Sequence, residues 1–258
     1  MRDTGLSDAI HAVGGISELA RKLGIAQPSV SNWERVPAER VLAVETATGI
    51  DRRQLRPDIY RDESEGAGAD EVQSARAQQY TLLAVLLSRA PDASLLARLA
   101  KLRVDTTPLG LVLAALAEAA SNTPPERIER EYFDLFIGLG RGELLPYGSY
   151  YLTGFLHERP LARLRDDLRA FGIERAEGQY EPEDHAAILC EIMAGLIKGE
   201  FAAPADADRQ MFEKHLKPWI GRFFADLERA EAGAFYRSVG TLGRTFIEIE
   251  TAAFALPS

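Results

Sequence analysis

After residue 72 the apolar side chains recur three and four positions apart, and the alternation that a half-buried strand requires is scarce. Tyr80, Leu83 and Leu87 form one such run; Phe212, Leu216, Ile220, Phe223 and Leu227 form another. That period confines the chain to helices whose apolar stripes must be covered by other helices. The spacing predicts helices over about 72–90, 92–103, 107–121, 125–137, 149–171, 183–199, 205–216, 218–231 and 233–255. Pro91, Pro124, Pro204 and Pro218 stand at helix starts, where a missing N–H costs nothing. No repeat of about 20–50 residues is visible, so an irregular bundle is expected rather than a solenoid.

Earlier in the chain the helical pieces are shorter, punctuated by Gly14, Gly15, Gly24, Pro28, Pro37 and Gly49. Between them and the long helices runs RDESEGAGADEVQ, Arg61 to Gln73, with no large apolar residue before Val72. It reads as an acidic linker over 62–76, dividing a small domain, 1–61, from a larger one, 77–258. Charge divides there too. Residues 1–61 hold nine Lys and Arg against eight Asp and Glu; the remainder hold 21 against 31, a net of −10. Such a field disfavours nucleic acid and favours cationic ligands. The fold class expected is all-α: a small helix-turn-helix domain, then an irregular helical bundle.

Apolar residues are 46% and charged residues 27% of the 258, enough to build a core. The longest nearly uncharged apolar stretch, Pro108 to Ala117, is about half of the roughly 20 residues a spanning helix needs. The start, MRDTGLSDAIHAVGG, has no cationic-then-apolar export signal. A cytoplasmic protein with no membrane insertion is expected. Cys190 stands alone, which fits a reducing compartment and excludes an intramolecular disulfide or a multi-cysteine metal site.

Ile16 to Arg35 reads ISELARKLGIAQPSVSNWER and fits the helix-turn-helix plan. Ala20 is small where helices cross, Gly24 suits the turn, and Leu19, Leu23, Val30 and Trp33 point into the crossing. Gln27, Ser29, Ser31, Asn32 and Arg35 are left on the outer face of the second helix, able to reach base edges or phosphates. A hairpin that only packs or dimerises is the plainer alternative. With the following PAERVLAVETATGIDRRQLRPDIY, residues 8–60 resemble the Cro-like, YdaS-type phage and plasmid repressors. The resemblance implies DNA reading by those five residues, although the turn after Trp33 is shortened to Glu34-Arg35-Val36-Pro37, which re-aims Arg35. Arg21, Lys22, Arg40, Arg52 and Arg53 offer about four to six phosphate contacts, so one copy binds weakly and a dimer is implied.

In the larger domain two stretches are unusual: EYFDLFIGLGRGELLPYGSYY, Glu131 to Tyr151, and QYEPEDHAAILCEIM, Gln179 to Met193. Gly138, Gly140 and Gly142 have part of a phosphate-loop spacing, but no strand precedes them and no Gly-Lys-Ser/Thr follows. Glu181, Glu183 and Asp184 are expected in the first turn of a helix opened by Pro182, where carboxylates suit the dipole. Asp184 beside His185 also suggests an acid/base pair or a metal ligand. No partner supports either reading. His157, His185 and His215 lack an acid three residues earlier, no HExxH occurs, and no Gly-x-Ser-x-Gly elbow is present. No metal, no cofactor and no catalytic residue are expected: the chain does not read as an enzyme.

From about Ala77 onward the chain resembles the TorD/DmsD family of molybdoenzyme chaperones, especially members associated with formate dehydrogenases. The matching residues are Tyr132, Phe133, Leu135 and Phe136; Gly140 to Tyr147 with Ser149, Tyr150, Tyr151 and Leu152; Glu181 to His185; and His215 to Trp219. The resemblance implies an all-helical chaperone that holds the twin-arginine signal peptide or the apo form of a molybdoenzyme catalytic subunit during cofactor insertion. It places the peptide or client site at Tyr147, Ser149, Tyr150, Asp184 and His185, and nearby Glu181 or Glu183 is expected to help Asp184 orient the arginines. Exposed ion pairs contribute about 0.2–1 kcal/mol each, whereas micromolar binding needs roughly 8 kcal/mol. Burial of about 300 Å² of apolar surface supplies roughly 7 kcal/mol before ordering costs, so the groove must be largely aromatic and aliphatic. The alternative is a transcription regulator whose larger half senses or dimerises.

Overall fold

A computed structural model describes residues 2–60, 63–102, 105–175, 178, 180–231 and 233–256; the side chains of 63–67 and 69, like residue 62 of the expected linker, lie outside the description. The chain divides into two compact units, Met1–Val72 and Gln73–Ser258. The division falls within the stretch 62–76, most of which is continuous helix. Among the described residues the structure is all-α, with one isolated β-bridge and no strand.

The small unit holds α1 (Thr4–Ala12), α2 (Ile16–Leu23), α3 (Gln27–Ser31), a 3₁₀ turn Ala38–Arg40, α4 (Val41–Thr48) and α5 (Arg52–Leu55). Asp3 caps α1 by accepting the Leu6 N–H at 2.9 Å. Leu6, Leu19, Val30, Val36, Val44 and Leu55 are fully buried, with Leu23 and Trp33 packed partly against them, as the helix-turn-helix reading expects. Buried Arg56 donates to the Val36 carbonyl at 2.6 Å and pairs with Asp58 at 2.7 Å, tying the closing segment to that core.

The larger unit contains most of α6 (Glu63–Ser88), then α7 (Ala93–Leu99), α8 (Pro108–Asn122), α9 (Pro125–Tyr132), α10 (Gly148–Thr153), α11 (Arg159–Ala170), α12 (Ala186–Lys198), α13 (Ala207–Met211), α14 (Ile220–Arg229) and α15 (Ala234–Ala255). Helix α15 lies against α14 and α8, and its start meets α9. Tyr80, Leu83 and Leu87, and Phe212 through Leu227 at the same spacing, are all buried, so the periodicity identified core faces correctly. One buried polar cluster joins distant helices: Arg76 binds both oxygens of Glu250 at 2.8 Å, and the Tyr80 hydroxyl donates to the same carboxylate at 3.1 Å.

Two expectations about element boundaries are corrected. The single helix over 149–171 is two helices, because Gly154 adopts a left-handed conformation (φ +84°) that closes α10 and Pro160 sits in the first turn of α11. The helix expected to open with Glu181, Glu183 and Asp184 begins instead at Ala186. His185 is its N-cap, accepting the Ala187 N–H through Nδ1 at 3.1 Å. The acids therefore precede the helix and are free to face other elements.

Candidate functional site

A five-residue π turn, Phe133–Ile137, follows α9 and leads into the loop 138–147. Backbone bonds from Glu143 to Asp134 (3.1 Å) and from Leu144 to Leu135 (2.9 Å) fold this loop back on the turn. The chain then runs antiparallel to the segment before α12, with Tyr147 paired to His185. Gly148 donates to the Asp184 carbonyl at 2.9 Å and Ala186 to the Pro146 carbonyl at 2.8 Å. The two unusual stretches of the sequence are thus one structure.

On this frame the Tyr147 and His185 rings meet edge to face, centroids 5.1 Å apart. The Tyr147 hydroxyl donates to Glu181 Oε2 at 2.6 Å; burial and that carboxylate push the phenol well above its usual range, so it stays a neutral donor. Burial pushes His185 down to about 4, against the opposing charges of Glu181 and Asp184, so it is neutral near pH 7. Its bond to Ala187 leaves the proton on Nε2. Asp184 and His185 do not form a pair with each other. Asp184 Oδ2 accepts the Ser149 N–H at 2.7 Å, while Asp184 Oδ1 and Ser149 Oγ are buried without partners.

The aromatic side chains continue beyond Tyr147. Arg141 donates to the Tyr150 hydroxyl at 3.0 Å, and its guanidinium stands 5.6 Å from that ring's centre. Tyr151 donates to Asp226 at 2.9 Å and packs on Trp219, centroids 5.6 Å apart. Trp219 is buried beneath Gly148, where a Cβ would lie 3.0 Å from its indole nitrogen.

Beside Gly148 and Asp184 opens a concavity of about 500 Å³, whose lining includes Leu152, Asp167, His215 and Trp219. His215 Nε2 lies 2.7 Å from Asp167 Oδ2, and Lys214 Nζ lies 3.2 Å from the same oxygen. Burial tends to raise the Asp167 carboxyl, but bonds from His215 and Lys214 outweigh it and hold the group below its usual value. Leu152 in this lining is exposed, and so are Phe155 (by 69%) and Leu156, three and four residues further along the chain. Such clustered apolar exposure marks interaction surface more often than chance.

Two family descriptions match this chain. Residues 103–225 match the nitrate reductase delta subunit family, a span that includes every site residue from Arg141 to Trp219, and residues 6–64 match the family described as bacterial toxin YdaS. Chaperone protein TorD of Vibrio cholerae is 28% identical over 127 residues, which is 46% of this chain and 58% of that protein. Over about half its length this chain is thus similar to a TorD chaperone. Chaperone protein TorD of Aliivibrio fischeri is likewise 28% identical, over 48% of this chain and 62% of its own. This chain therefore spans about three-fifths of the length of these curated relatives. A solved putative redox enzyme maturation protein from Archaeoglobus fulgidus aligns with 68% of this chain and 93% of its own, at TM-score 0.45 and 18% identity.

Within the larger unit the expected site residues converge but differ in accessibility. Glu181 is exposed, Tyr147 and Tyr150 are half-buried, and Ser149, Asp184 and His185 are buried. Glu183 already faces this chain's own cations, Arg165 at 2.8 Å and Arg175 at 4.0 Å. Asp167 and Lys214 carry no signal in the sequence, and His215 enters there only within the His215 to Trp219 match, without a partner. Its acidic partner Asp167 is 48 residues away, beyond the reach of any local histidine motif.

In the small unit Gln27, Ser29, Asn32 and Arg35 are exposed and Ser31 is half-buried. Much of the expected cationic surface is engaged internally. Arg21 binds Glu18 at 2.7 Å, Arg52 binds Glu45 at 2.9 Å, Lys22 donates to the Ala47 carbonyl, and Arg35 stands 3.6 Å from Asp58. No group of three or more His, Cys, Asp or Glu able to hold a metal ion occurs among the described residues, and no described helix is long and apolar enough to cross a membrane.

Proposed function

We propose that the protein is a cytoplasmic chaperone for a molybdoenzyme of the formate dehydrogenase kind, binding its twin-arginine signal peptide or its apo catalytic subunit. The observation that carries this reading is the Tyr147–His185 bridge. It holds a neutral tyrosine and the exposed carboxylate Glu181 together, next to a concavity lined in part by the exposed Leu152, with exposed Phe155 and Leu156 three and four residues further along the chain. A leader peptide has two arginines followed by an apolar run, and this surface offers an acceptor for the first and an apolar shelf for the second. Asp184 and Ser149 act behind it: the Asp184 carboxylate holds the Ser149 N–H and so fixes the start of α10, which bears Tyr150. The similarity to proteins named as TorD chaperones supports the class.

The test is titration of the full chain with a synthetic twin-arginine leader, alongside identification of proteins that co-purify from the native host. Micromolar or tighter binding that is lost when both arginines become alanine is the expected result. Absence of leader binding together with absence of any co-purifying redox enzyme subunit sinks the reading. Exposure of Gln27, Ser29, Asn32 and Arg35 favours a second activity in the same chain, DNA binding by the small unit, through which a client-responsive regulator would act.

A further inference from the structure

The concavity beside Gly148 contains charged groups that the Tyr147–His185 bridge does not use. Asp167 is part of its lining, and each of its oxygens has a donor. Oδ2 takes His215 at 2.7 Å and Lys214 at 3.2 Å, and Oδ1 takes only Lys214, at 3.4 Å. The two bonds differ in permanence. His215 has a side chain 10% exposed and sits in the π turn Phe212–Leu216, where its carbonyl also accepts the Trp219 indole N–H at 2.6 Å. Lys214 is 50% exposed on a flexible stem. A second acceptor is at hand: Asp184, 3% exposed, borders the same concavity, and its Oδ1 has no hydrogen-bond partner. Leu152, Pro160 and Leu164 provide apolar walls along which a methylene stem can lie.

The geometry points to a subsite for an arginine side chain of a bound segment, centred on Asp167 and kept filled in the free protein by the chain's own Lys214. The segment's identity as a client leader rests on the function proposed above; the subsite itself does not. An exposed lysine–carboxylate pair is weak and easily exchanged, whereas a guanidinium can make two parallel bonds to one carboxylate. Among the charged groups of the lining, Asp166, Asp167 and Asp184 stand against Arg163 and Lys214, and Asp166 is itself bound to Arg169 at 2.6 Å. Departure of Lys214 frees Asp167 Oδ1 and removes one of the two cations that repel an incoming arginine. His215 stays on Oδ2, so the carboxylate keeps its orientation while one face becomes vacant.

Arginyl-arginine amide is the direct probe, titrated against the full-length protein and its Lys214→Ala and Asp167→Asn variants, with lysyl-lysine amide as comparator. Removal of the competing lysine should tighten binding of the arginine dipeptide about two- to fivefold, with a smaller gain for the lysine dipeptide. Asp167→Asn should abolish that gain in the double variant. Unchanged or weaker dipeptide binding by Lys214→Ala overturns the subsite, and so does binding too weak to detect in both proteins. A full leader peptide run in parallel separates the two ideas. Dipeptide binding that tightens without leader binding keeps the subsite and removes the chaperone reading; leader binding indifferent to Lys214, with no dipeptide gain, does the reverse.

Discussion

Tyr147 and His185 stand ring against ring at 5.1 Å across an antiparallel bridge, while the hydroxyl of Tyr147 reaches past the imidazole to Glu181. The imidazole is buried and neutral, and the exposed Glu181 carboxylate is held by the tyrosine.

That burial has a pH consequence. His185 titrates near 4 in the folded protein against 6.5 unfolded, so the unfolded chain binds the proton more readily. The associated stability is fully present above pH 6.5 and is lost as the pH falls toward 4, by about 3 kcal/mol at most. His185→Asn keeps a side chain able to cap α12 and should flatten the profile over that window. Denaturant midpoints at pH 7, 5.5 and 4.5 measure it; parallel profiles for the two proteins would exclude His185 as the source.

Glu181 should matter to a cationic leader more than to stability. Glu181→Gln is expected to weaken leader binding about two- to fivefold, the worth of one exposed ion pair, with an unchanged melting temperature. Tyr147→Phe keeps the ring contact and removes the bond that orients the carboxylate, and should give a smaller loss in the same titration.

Asp184 has a different expected role. Its side chain is buried and holds the Ser149 N–H, so Asp184→Ala leaves that donor unsatisfied and should cost about 1–3 kcal/mol. Asp184→Asn retains an acceptor oxygen and should recover most of the loss in a chemical denaturation series. Equal stability of all three proteins would show that the bond has no structural weight.

Gly148 is a steric position. An added Cβ would come within 3.0 Å of the Trp219 indole nitrogen, and that ring is 1% exposed and bonded to the His215 carbonyl. Gly148→Ala should therefore destabilise by roughly 1–3 kcal/mol, visible as a lower melting temperature. Trp219 fluorescence should change with it, since the indole must move.

Internal pairing of Arg21, Lys22 and Arg52 limits the number of phosphates the small unit can neutralise. Binding to DNA should show a shallow log–log salt dependence, a slope of about −1 to −3 per small unit, in a gel-shift series between 50 and 200 mM salt. A slope steeper than about −5 would mean that the internal pairs open on the nucleic acid.

The helical class and the buried faces were legible in the residues alone, because both follow from spacing within a few residues, whereas two helix boundaries were not. Tyr80, Leu83 and Leu87 occupy one side of α6 whatever surrounds it, and the helix-turn-helix core is read from Leu19, Ala20 and Val30 in the same way. The break at Gly154 and Pro160 was equally local, but periodicity alone ran through it, since the apolar stripe continues on both sides. Tertiary structure decided the rest. Whether Asp184 faces His185 or Ser149, whether Glu181 is held by a tyrosine, and whether Asp167 meets His215 depend on contacts between segments 34 to 48 residues apart. Such contacts form only where packed helices bring the segments together. A carboxylate's partner is set by which donor arrives within about 3 Å, and no local rule of sequence encodes that distance.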